Sequence, residues 1–359
     1  MLRATDPGVA HRARRRPFAT LGRILSGATL LAALLLPQVA SQAAEPSPTV
    51  SAIRARGRLV CGMQGDNPPF SVPDAQGVWH GMDVASCRAL AAAVLGDPDK
   101  VLIRPITGLT RFPALQSGEV DVLYGSTTWV TTRETALGLS FTTANYYSGQ
   151  GFLVRRSLGV QHVKDLDGAS ICVPPGSTTE LILQDWFRQH HIRFQPVIID
   201  DPNQIQATFL AGRCDAYTRD MTGLSGFRVR QGNPDEFLVL PEVISMEPLG
   251  AFVRKGDNAW FDIVRWTQLA LVAAEQLGVS RANLDQSRTS ASPDVRRLLG
   301  VEGEVGPSMG LEKDWAARAI RAVGNYGEVW DREIKPMGLA RGLNQLWNQG
   351  GLQFAPPLR

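Results

Sequence analysis

Short apolar runs alternate with longer stretches in which apolar residues recur every three or four positions. The runs at 58–62, 101–105 and 120–124 predict strands, and the spacing within 83–95 and 111–116 predicts helices. The order strand, helix, strand, helix, strand is typical of an α/β layer fold with a largely parallel sheet.

A later stretch repeats part of this pattern. The segment TFLAGRCDAYTRD at 208–220 is similar to ALQSGEVDVLYGS at 114–126, because in each a helix ends at a glycine and a strand follows within two residues. Eight residues after each glycine stand Ser126 and Asp220. Both would lie beyond the carboxyl end of a strand, where open α/β sheets bind ligands. Because helix–glycine–strand units recur in many α/β proteins, the repeat alone does not establish that one lobe arose as a duplicate of the other.

The repeat predicts two similar lobes that face each other. We expect residues 45–148 to form the first part of lobe 1 and residues 149–244 to form lobe 2. Residues 245–359 would then return to lobe 1 and add a helical extension. The expected crossings between the lobes are 148–150 and 242–250.

The C-terminal hundred residues are predicted to be mostly helical, with amphipathic helices at 259–277 and 315–323. We expect the tryptophans of this region to pack in the core or between helices. They are Trp260, Trp266, Trp315, Trp330 and Trp347.

Residues 1–44 have the composition of a secretory signal peptide. Basic residues, among them Arg15 and Arg16, precede an apolar run at 24–36, and small residues follow at 40–44. A membrane anchor is the alternative, but the run is short for a membrane span and contains a glycine. The arginine pair leaves a twin-arginine export signal open. We therefore expect an exported protein from which 1–44 is removed.

Charge and composition exclude one class of partner. The 359 residues are 44% hydrophobic and 20% charged, which is typical of a globular protein with room for two domains. The net charge is +3, and removal of the six basic residues and one acidic residue of 1–44 changes it to −2. Since no basic stripe remains, we expect no nucleic acid partner.

The four cysteines, Cys61, Cys87, Cys172 and Cys214, form no CxxC pair, which argues against zinc or thioredoxin-like chemistry. An even number in an exported chain predicts two disulfides, for which three pairings are possible. The division into lobes favours Cys61 with Cys87 and Cys172 with Cys214. Four buried thiols are the alternative.

The segment GSTTWVTTRE at 125–134 gathers hydroxyl groups ahead of Arg133, just after a predicted strand. A guanidinium with several nearby donors can hold a small anion. The alternative is a surface ion pair of Arg133 with Glu134 or Glu180.

A second group of donors follows at 176–180, where GSTTE predicts the start of a helix with free N–H groups. Simple N-capping would also explain Ser177 and Thr178. Asp220 offers the opposite charge, although it could instead cap a helix over 221–227. An anion site opposite a carboxylate predicts a zwitterionic ligand.

Several segments together resemble the amino-acid-binding proteins of ABC importers, which are family 3 extracellular solute-binding proteins of the type II periplasmic fold. The subgroup they are most similar to is the general L-amino-acid-binding one. The segments include GMQGDNPPFSVPDAQGVWHGMDVASCRALAAAVLG, RFPALQSGEVDVL, TTWVTTRE, ICVPPGSTTE, GRCDAY, EPLG and RGLNQLWNQGGL. The resemblance covers nearly all of 50–359. It implies an α/β fold of two lobes, each a mixed, mostly parallel sheet flanked by helices, with extra C-terminal helices.

The resemblance also implies roles for particular residues. Arg133 would hold the α-carboxylate of the ligand, and Asp220 would bind its α-ammonium. The remaining contacts expected in the site are Ser126, Thr128, Gly176, Ser177, Thr178, Gln64 and Asn67. Many relatives carry aromatic residues around the ligand side chain at positions that fall here near Asn67 and Gly108. Because neither is aromatic, we expect a roomier pocket and broad L-amino-acid specificity.

The function implied is capture of free L-amino acids in the periplasm by hinge closure, followed by delivery to an inner-membrane permease. We expect a monomer, no cofactor, no metal and no catalysis. One alternative is a cyclohexadienyl or arogenate dehydratase on the same fold, which would need a carboxylic acid with a raised pKa, such as Glu119 or Glu180. Another is a component of an amino-acid-sensing receptor.

Overall fold

The computed structural model describes residues 47–359. The predicted signal peptide lies outside these residues. Within 47–359, no helix is both long enough and apolar enough to cross a membrane.

The described part of the chain forms strands that belong to two large sheets and one small hairpin. In chain order they are β1 (Leu59–Gln64), β2 (Val72–Pro73), β3 (Trp79–His80), β4 (Val101–Ile106), β5 (Val122–Leu123), β6 (Leu139–Ser148), β7 (Gln150–Arg155), β8 (Ala169–Val173), β9 (Phe194–Ile198), β10 (Ala216–Asp220), β11 (Phe237–Val239) and β12 (Glu247–Arg254).

The α-helices cover both large sheets and make up most of the C-terminal region. They are α1 (Pro48–Arg56), α2 (Met82–Leu95), α3 (Arg111–Ser117), α4 (Thr131–Thr135), α5 (Thr178–Gln189), α6 (Pro202–Leu210), α7 (Met221–Val229), α8 (Asn258–Gln276), α9 (Leu284–Ser287), α10 (Pro293–Leu298), α11 (Val305–Ser308), α12 (Trp315–Val323) and α13 (Tyr326–Glu333).

The two large sheets have the same architecture. The first has the order β4-β1-β5-β12-β6, and the second has the order β9-β8-β10-β7-β11. In each sheet, the first three strands are parallel to one another. The fourth strand runs antiparallel to its neighbours on both sides. We call the part built on the first sheet lobe 1 and the part built on the second lobe 2. The α/β fold with a mixed sheet in each lobe is confirmed.

The sequence repeat corresponds to the same contact in both lobes. Asp121 donates its backbone N–H to the carbonyl of Val60 at 2.9 Å and accepts the N–H of Val60 on its carboxylate at 2.8 Å. In lobe 2, Asp215 makes the same pair of hydrogen bonds with Ser170, at 2.8 and 2.7 Å. Each aspartate therefore joins the amino end of its own strand to the parallel neighbour, at the opposite end of the sheet from the edge where ligands bind.

Each lobe contains one of the expected disulfides. Cys61 on β1 is bonded to Cys87 on α2, and Cys172 on β8 is bonded to Cys214, two residues before β10. Both bridges tie a buried strand to a neighbouring segment of the same lobe, so the within-lobe pairing is confirmed.

The C-terminal helices pack on lobe 1 and extend its core. Trp260, Trp315 and Trp330 are almost completely buried there, and Trp266 packs against the same cluster. The prediction for Trp347 is wrong, because its side chain is 57% exposed in a short turn near the C-terminus. Its ring meets that of Phe354 edge-on, with centroids 6.2 Å apart, and Phe354 is also exposed.

Candidate functional site

A small cavity of about 60 Å³ lies between the lobes, at the carboxyl ends of the parallel strands. Its lobe 1 side is formed by Gln64, Gly108, Arg111, Ser126 and Thr128. The other lining residues are Pro174, Ser177, Thr178, Thr179, Asp200, Pro202, Tyr217, Arg219, Asp220 and Glu247. The cavity therefore brings together Ser126, Thr128, Ser177, Thr178, Asp220 and Gln64 from the predicted set.

A larger groove of about 720 Å³ lies between the β2–β3 hairpin and the C-terminal helices, and Arg230 of lobe 2 also lines it. Four of its charged groups form two pairs, Arg88 with Asp99 and Arg332 with Glu333, and Arg230 pairs with Asp66. The smaller cavity differs because some of its buried charged groups have spare hydrogen-bonding capacity, which makes it the candidate site.

The loop after β5 is held in place by a buried carboxylate. Asp83, in the first turn of α2, accepts the backbone N–H groups of Gly125 and Ser126 at 2.9 and 3.2 Å and the side-chain amide of Asn145 at 2.9 Å. Ser126 has a left-handed backbone, with φ of 50°. This conformation, which is uncommon outside glycine, requires strong local support, and Asp83 provides it.

Arg133, predicted to hold the carboxylate, does not line the cavity but bonds to Thr128, which does. It is 5% exposed, donates to the carbonyl of Thr128 and places its guanidinium over the ring of Phe112, 5.1 Å from the centroid. Burial, together with the nearby charge of Arg111, lowers the pKa of Arg133 to about 9. The carboxylate of Glu134 accepts from Trp129 and Phe141, and that of Glu180 accepts from Gly176. The surface ion pair of Arg133 with either glutamate, considered from the sequence, is not formed.

Arg111 is a second buried guanidinium, and the sequence reasoning did not assign it to the site. It is the first residue of α3, lines the cavity and is only 4% exposed. One terminal nitrogen donates to the carbonyl of Gly176 at 3.4 Å, whereas Nε has no partner. Burial lowers the pKa of Arg111 to about 10. The position of this arginine after β4, at a helix start, was the only signal in the sequence.

The lobe 2 turn at the start of α5 contributes hydroxyl groups. Ser177 accepts the N–H of Glu180 and so caps the helix, as expected for a simple N-cap, while its own hydroxyl donates to Pro174 at 2.7 Å. Thr178 follows and also lines the cavity. Gly176 does not line it, and its N–H donates to Glu180 at 2.9 Å.

Asp220 ends β10 and faces the cavity. It stands at the N-cap position of α7, yet its side chain makes no capping hydrogen bond. Its buried Oδ1 has no hydrogen-bond partner. Burial, followed by the negative charge of Glu247, raises the pKa of Asp220 to about 7, although Arg219 and Arg111 oppose the shift.

Glu247 is the second residue of the site that the sequence reasoning missed. It begins β12 and is only 2% exposed. Its Oε2 accepts from the hydroxyls of Thr128 at 2.6 Å and Thr178 at 2.9 Å, and its Oε1 accepts from Ser245 at 2.9 Å. The EPLG segment contained it, but nothing in the spacing indicated a role.

Asn67 supports the site without lining the cavity. Its amide donates to the hydroxyl of Ser126 at 2.7 Å, and its carbonyl accepts from the buried guanidinium of Arg219. Beside it, Asp66 pairs with Arg230 of lobe 2 at 2.9 Å. These contacts connect the lobes across the cleft.

Gly108 allows lobe 2 to approach lobe 1 closely. A Cβ atom at this position would stand 3.1 Å from the carbonyl of Pro175 and 3.2 Å from the carboxylate of Asp200. The absence of a side chain here is therefore connected with closure of the cleft, and the roomier pocket expected from the sequence stays a prediction.

The arrangement can bind a molecule that carries both signs of charge. Arginines and carboxylates converge on one cavity from two lobes. Within residues 47–359, no group of three or more histidine, cysteine, aspartate or glutamate residues is arranged to hold a metal ion. Two similar α/β lobes around a charged cleft define the class of two-lobed, ligand-binding proteins.

Comparison with known proteins identifies the family. Residues 59–278 match the family described as bacterial extracellular solute-binding proteins, family 3. The chain belongs to this family. It is a solute-binding protein rather than an enzyme.

Individual relatives cover nearly the whole chain. It is 47% identical to the general L-amino acid-binding periplasmic protein AapJ of Rhizobium johnstonii, over 94% of this chain and 99% of the relative. It is 51% identical to the glutamate/glutamine/aspartate/asparagine-binding protein BztA of Rhodobacter capsulatus, over 93% and 98%.

A solved structure of another protein has the same fold over the whole of its own chain. It is an ABC transporter periplasmic binding protein from Brucella ovis with glutathione bound, with a TM-score of 0.85 and 46% identity. The match covers 88% of this chain and all of that one.

Proposed function

We propose that this protein captures free L-amino acids in the periplasm and delivers them to the inner-membrane permease of an ABC importer. Residues 1–44 would serve as the export signal and be removed, and the mature protein would act as a monomer. The name of AapJ supports the ligand class and the compartment, and that of BztA supports the ligand class.

The observation that carries the proposal is a complementary pair of unpartnered buried groups. Arg111 presents an unpartnered Nε and Asp220 an unpartnered Oδ1, and both residues line the same cavity. A buried polar group without a partner costs free energy, and more so when it is charged. A ligand with a carboxylate at one end and an ammonium at the other supplies both missing partners.

The ligand would bridge the lobes. Arg111 belongs to lobe 1 and Asp220 to lobe 2, so a ligand held by both stabilises the closed arrangement relative to an open one. In this proposal Arg133, behind Arg111, adds positive charge to the α-carboxylate subsite, and Asp220 binds the α-ammonium.

The proposed specificity is broad. The ligand is held by its backbone charges, which all L-amino acids share, and no aromatic side chain stands at Asn67 or Gly108. The glutathione of the Brucella ovis structure fits this view, because its glutamyl end carries a free α-ammonium and α-carboxylate.

A thermal-shift screen tests the proposal. The panel contains the common L-amino acids, two D-amino acids, glutathione and prephenate, each at high excess. A ligand present at about a thousand times its Kd should stabilise the protein by about 4 kcal/mol. We expect positive shifts with many L-amino acids. Absence of a shift with every L-amino acid would refute the proposal, and turnover of prephenate would favour the dehydratase.

Two arginine variants locate the carboxylate subsite. Arg133→Ala and Arg111→Ala should each weaken all L-amino acids alike, by about 100-fold in calorimetric titration, because each removes a positive charge near a group common to them all. Arg155→Ala, on the far side of lobe 2 against Phe209 and Phe237, is the matched control. A variant that loses only some ligands would show that its arginine contacts side chains instead.

A further inference from the structure

One carboxylate oxygen holds two hydroxyl groups that belong to opposite lobes. Oε2 of Glu247 accepts from Thr128 at 2.6 Å and from Thr178 at 2.9 Å. Both threonines line the cavity, Thr128 from lobe 1 and Thr178 from lobe 2. The contact is buried, since Glu247 is 2% exposed.

These hydrogen bonds fix the direction of both hydroxyl groups. A hydroxyl has one proton and two lone pairs, whereas an ionised carboxylate can only accept. Thr128 and Thr178 therefore each direct their single proton to Glu247. The two oxygens lie 3.2 Å apart, and what they can still offer to the cavity is lone pairs.

The carboxylate itself is held from both crossings between the lobes. Its Oε1 accepts from the hydroxyl of Ser245 at 2.9 Å, and the oxygen of Ser245 in turn accepts the backbone N–H of Gln150 at 2.9 Å. Ser245 belongs to the second crossing and Gln150 follows the first. Glu247 is thus held by the side chain of Ser245, which the backbone of Gln150 holds in turn.

We propose that Glu247 is a positioning residue that makes Thr128 and Thr178 hydrogen-bond acceptors for the cleft, and so selects ligands with a protonated amine. An ammonium group has three donors. Asp220, with its unpartnered Oδ1, supplies a third acceptor on the same cavity. The inference rests on the proposed function and names the partner of the hydroxyls as the α-ammonium, whereas the sequence reasoning directed them to the α-carboxylate.

The test compares amino acids with 2-hydroxy acids that lack the amine. The probe pairs are L-glutamate with L-2-hydroxyglutarate and L-leucine with L-2-hydroxyisocaproate, and Kd is measured by calorimetry. The variants are Glu247→Gln, Thr178→Val and their combination. The matched control is Glu242→Gln, the same substitution five positions away at a carboxylate that contacts His162.

We expect the unchanged protein to prefer the amino acid by about 100-fold or more, since a site built for one polar group rejects analogues without it. Glu247→Gln should lower this preference by about tenfold or more, because an amide can donate and reverse one hydroxyl. Glu242→Gln should keep it. Because Glu247 acts through Thr178, the effects of the two substitutions should not add.

A second readout is the pH dependence of L-glutamate binding. Glu247 is one cause of the raised pKa of Asp220, while Arg219 and Arg111 oppose it, and Arg133 and Tyr146 also interact with this carboxylate. Loss of the charge at 247 should lower the pKa of Asp220. The ratio of Kd at pH 6 to Kd at pH 8 should therefore fall in Glu247→Gln, which a purely structural role would not produce.

The outcomes separate the two proposals. If no L-amino acid binds the unchanged protein, the proposed function fails and the inference fails with it. If amino acids bind, equal affinity for a 2-hydroxy acid, an unchanged preference in Glu247→Gln, or additive effects of the two substitutions would overturn the inference alone. Should Glu247→Gln not fold, an unchanged preference in Thr178→Val overturns it.

Discussion

Burial disfavours the charged form of several residues around the cleft. Desolvation lowers the pKa of Arg133 to about 9 and raises that of Asp220 to about 7. Each shift is reversed by an opposite charge placed nearby. A zwitterionic ligand brings one charge of each sign, so it favours the ionised form of both groups at once.

Asp220→Asn should separate stability from binding. The pKa of Asp220 rises from 3.8 to about 7 in the folded protein, so its contribution to stability is fully present below pH 3.8 and is lost as the pH rises through 7. At pH 8 the ionised, buried carboxylate is therefore destabilising. We expect Asp220→Asn to unfold at a higher temperature than the unchanged protein at pH 8, by a free energy on the order of a few kcal/mol.

The same variant should bind L-amino acids poorly at every pH. In the unchanged protein, affinity should fall as the pH drops below about 7, by about tenfold per unit, because the acceptor becomes protonated. Melting curves and titrations between pH 5 and 8 measure both effects. Asp185→Asn, at an exposed ion pair with Arg188, is the control. A variant less stable than the unchanged protein at pH 8 would contradict the argument.

The sequence indicated Arg133 and Asp220 but missed Arg111, Arg219 and Glu247. The hydroxyl-rich segment ahead of Arg133 and the predicted strand end at Asp220 indicated the first two. An arginine at the start of a helix, or a glutamate at the start of a strand, is usually a solvent-exposed charge. Each of these three contacts the other lobe, since Arg111 donates to Gly176, Arg219 donates to Asn67 and Glu247 accepts from Thr178. Such long-range contacts have no local pattern in the chain.

At the level of elements, the C-terminal helices support the strand that leads into the first crossing. Trp330 of α13 stacks on Tyr146 of β6, with ring centroids 5.7 Å apart and planes 2° from parallel. The side chain of Asn344 pairs with both the N–H and the carbonyl of Tyr147, at 2.7 and 2.9 Å. It thereby occupies hydrogen-bonding groups of the exposed edge of the sheet.

Trp330→Ala should destabilise the protein by about 3–5 kcal/mol, because a large buried ring leaves a cavity beside Tyr146. Trp347→Ala removes the same side chain from a surface position, and we expect a change within about 0.5 kcal/mol. Urea unfolding of both variants, with the midpoint and slope fitted separately, measures the difference. Equal destabilisation by the two substitutions would mean that the extension is not part of the lobe 1 core.

Element boundaries from the sequence were close where the pattern was strong. The helix predicted over 83–95 is observed as Met82–Leu95, and the one over 315–323 is Trp315–Val323. The strand predicted over 120–124 is only Val122–Leu123, although hydrogen bonds of Asp121 and Tyr124 to β1 continue the pairing. The short helices α9 to α11 were not predicted, since four to six residues carry too little periodicity.

For the whole molecule, Gly108 is one point at which the backbones of the two lobes approach closely beside the cavity. Leu109 donates its backbone N–H to Asp200 at 3.3 Å, and Asp66 pairs with Arg230 farther along the cleft. Because Gly108 has no side chain, the backbone of lobe 1 can reach the turn of lobe 2.

Gly108→Val should hinder closure, because its methyl groups would stand against Pro175 and Asp200. We expect about tenfold weaker binding of all L-amino acids and a smaller ligand-induced decrease in the radius of gyration by small-angle scattering. Gly232→Val is the control, since a Cβ at that exposed position has no heavy atom within 4 Å. Unchanged affinity in Gly108→Val would show that the lobes need not approach this closely.

The place of β12 in the first sheet has a consequence for the order of assembly. Every strand of the second sheet lies between residues 150 and 239, whereas the first sheet needs β12, at 247–254, to join β5 to β6. During synthesis, lobe 2 can therefore complete its sheet while β6 still lacks its neighbour. During refolding of the whole chain, the strands of lobe 2 also join over shorter sequence separations than those of the first sheet. Pulse-labelling hydrogen exchange should show early protection of β8 and β10 and late protection of β6.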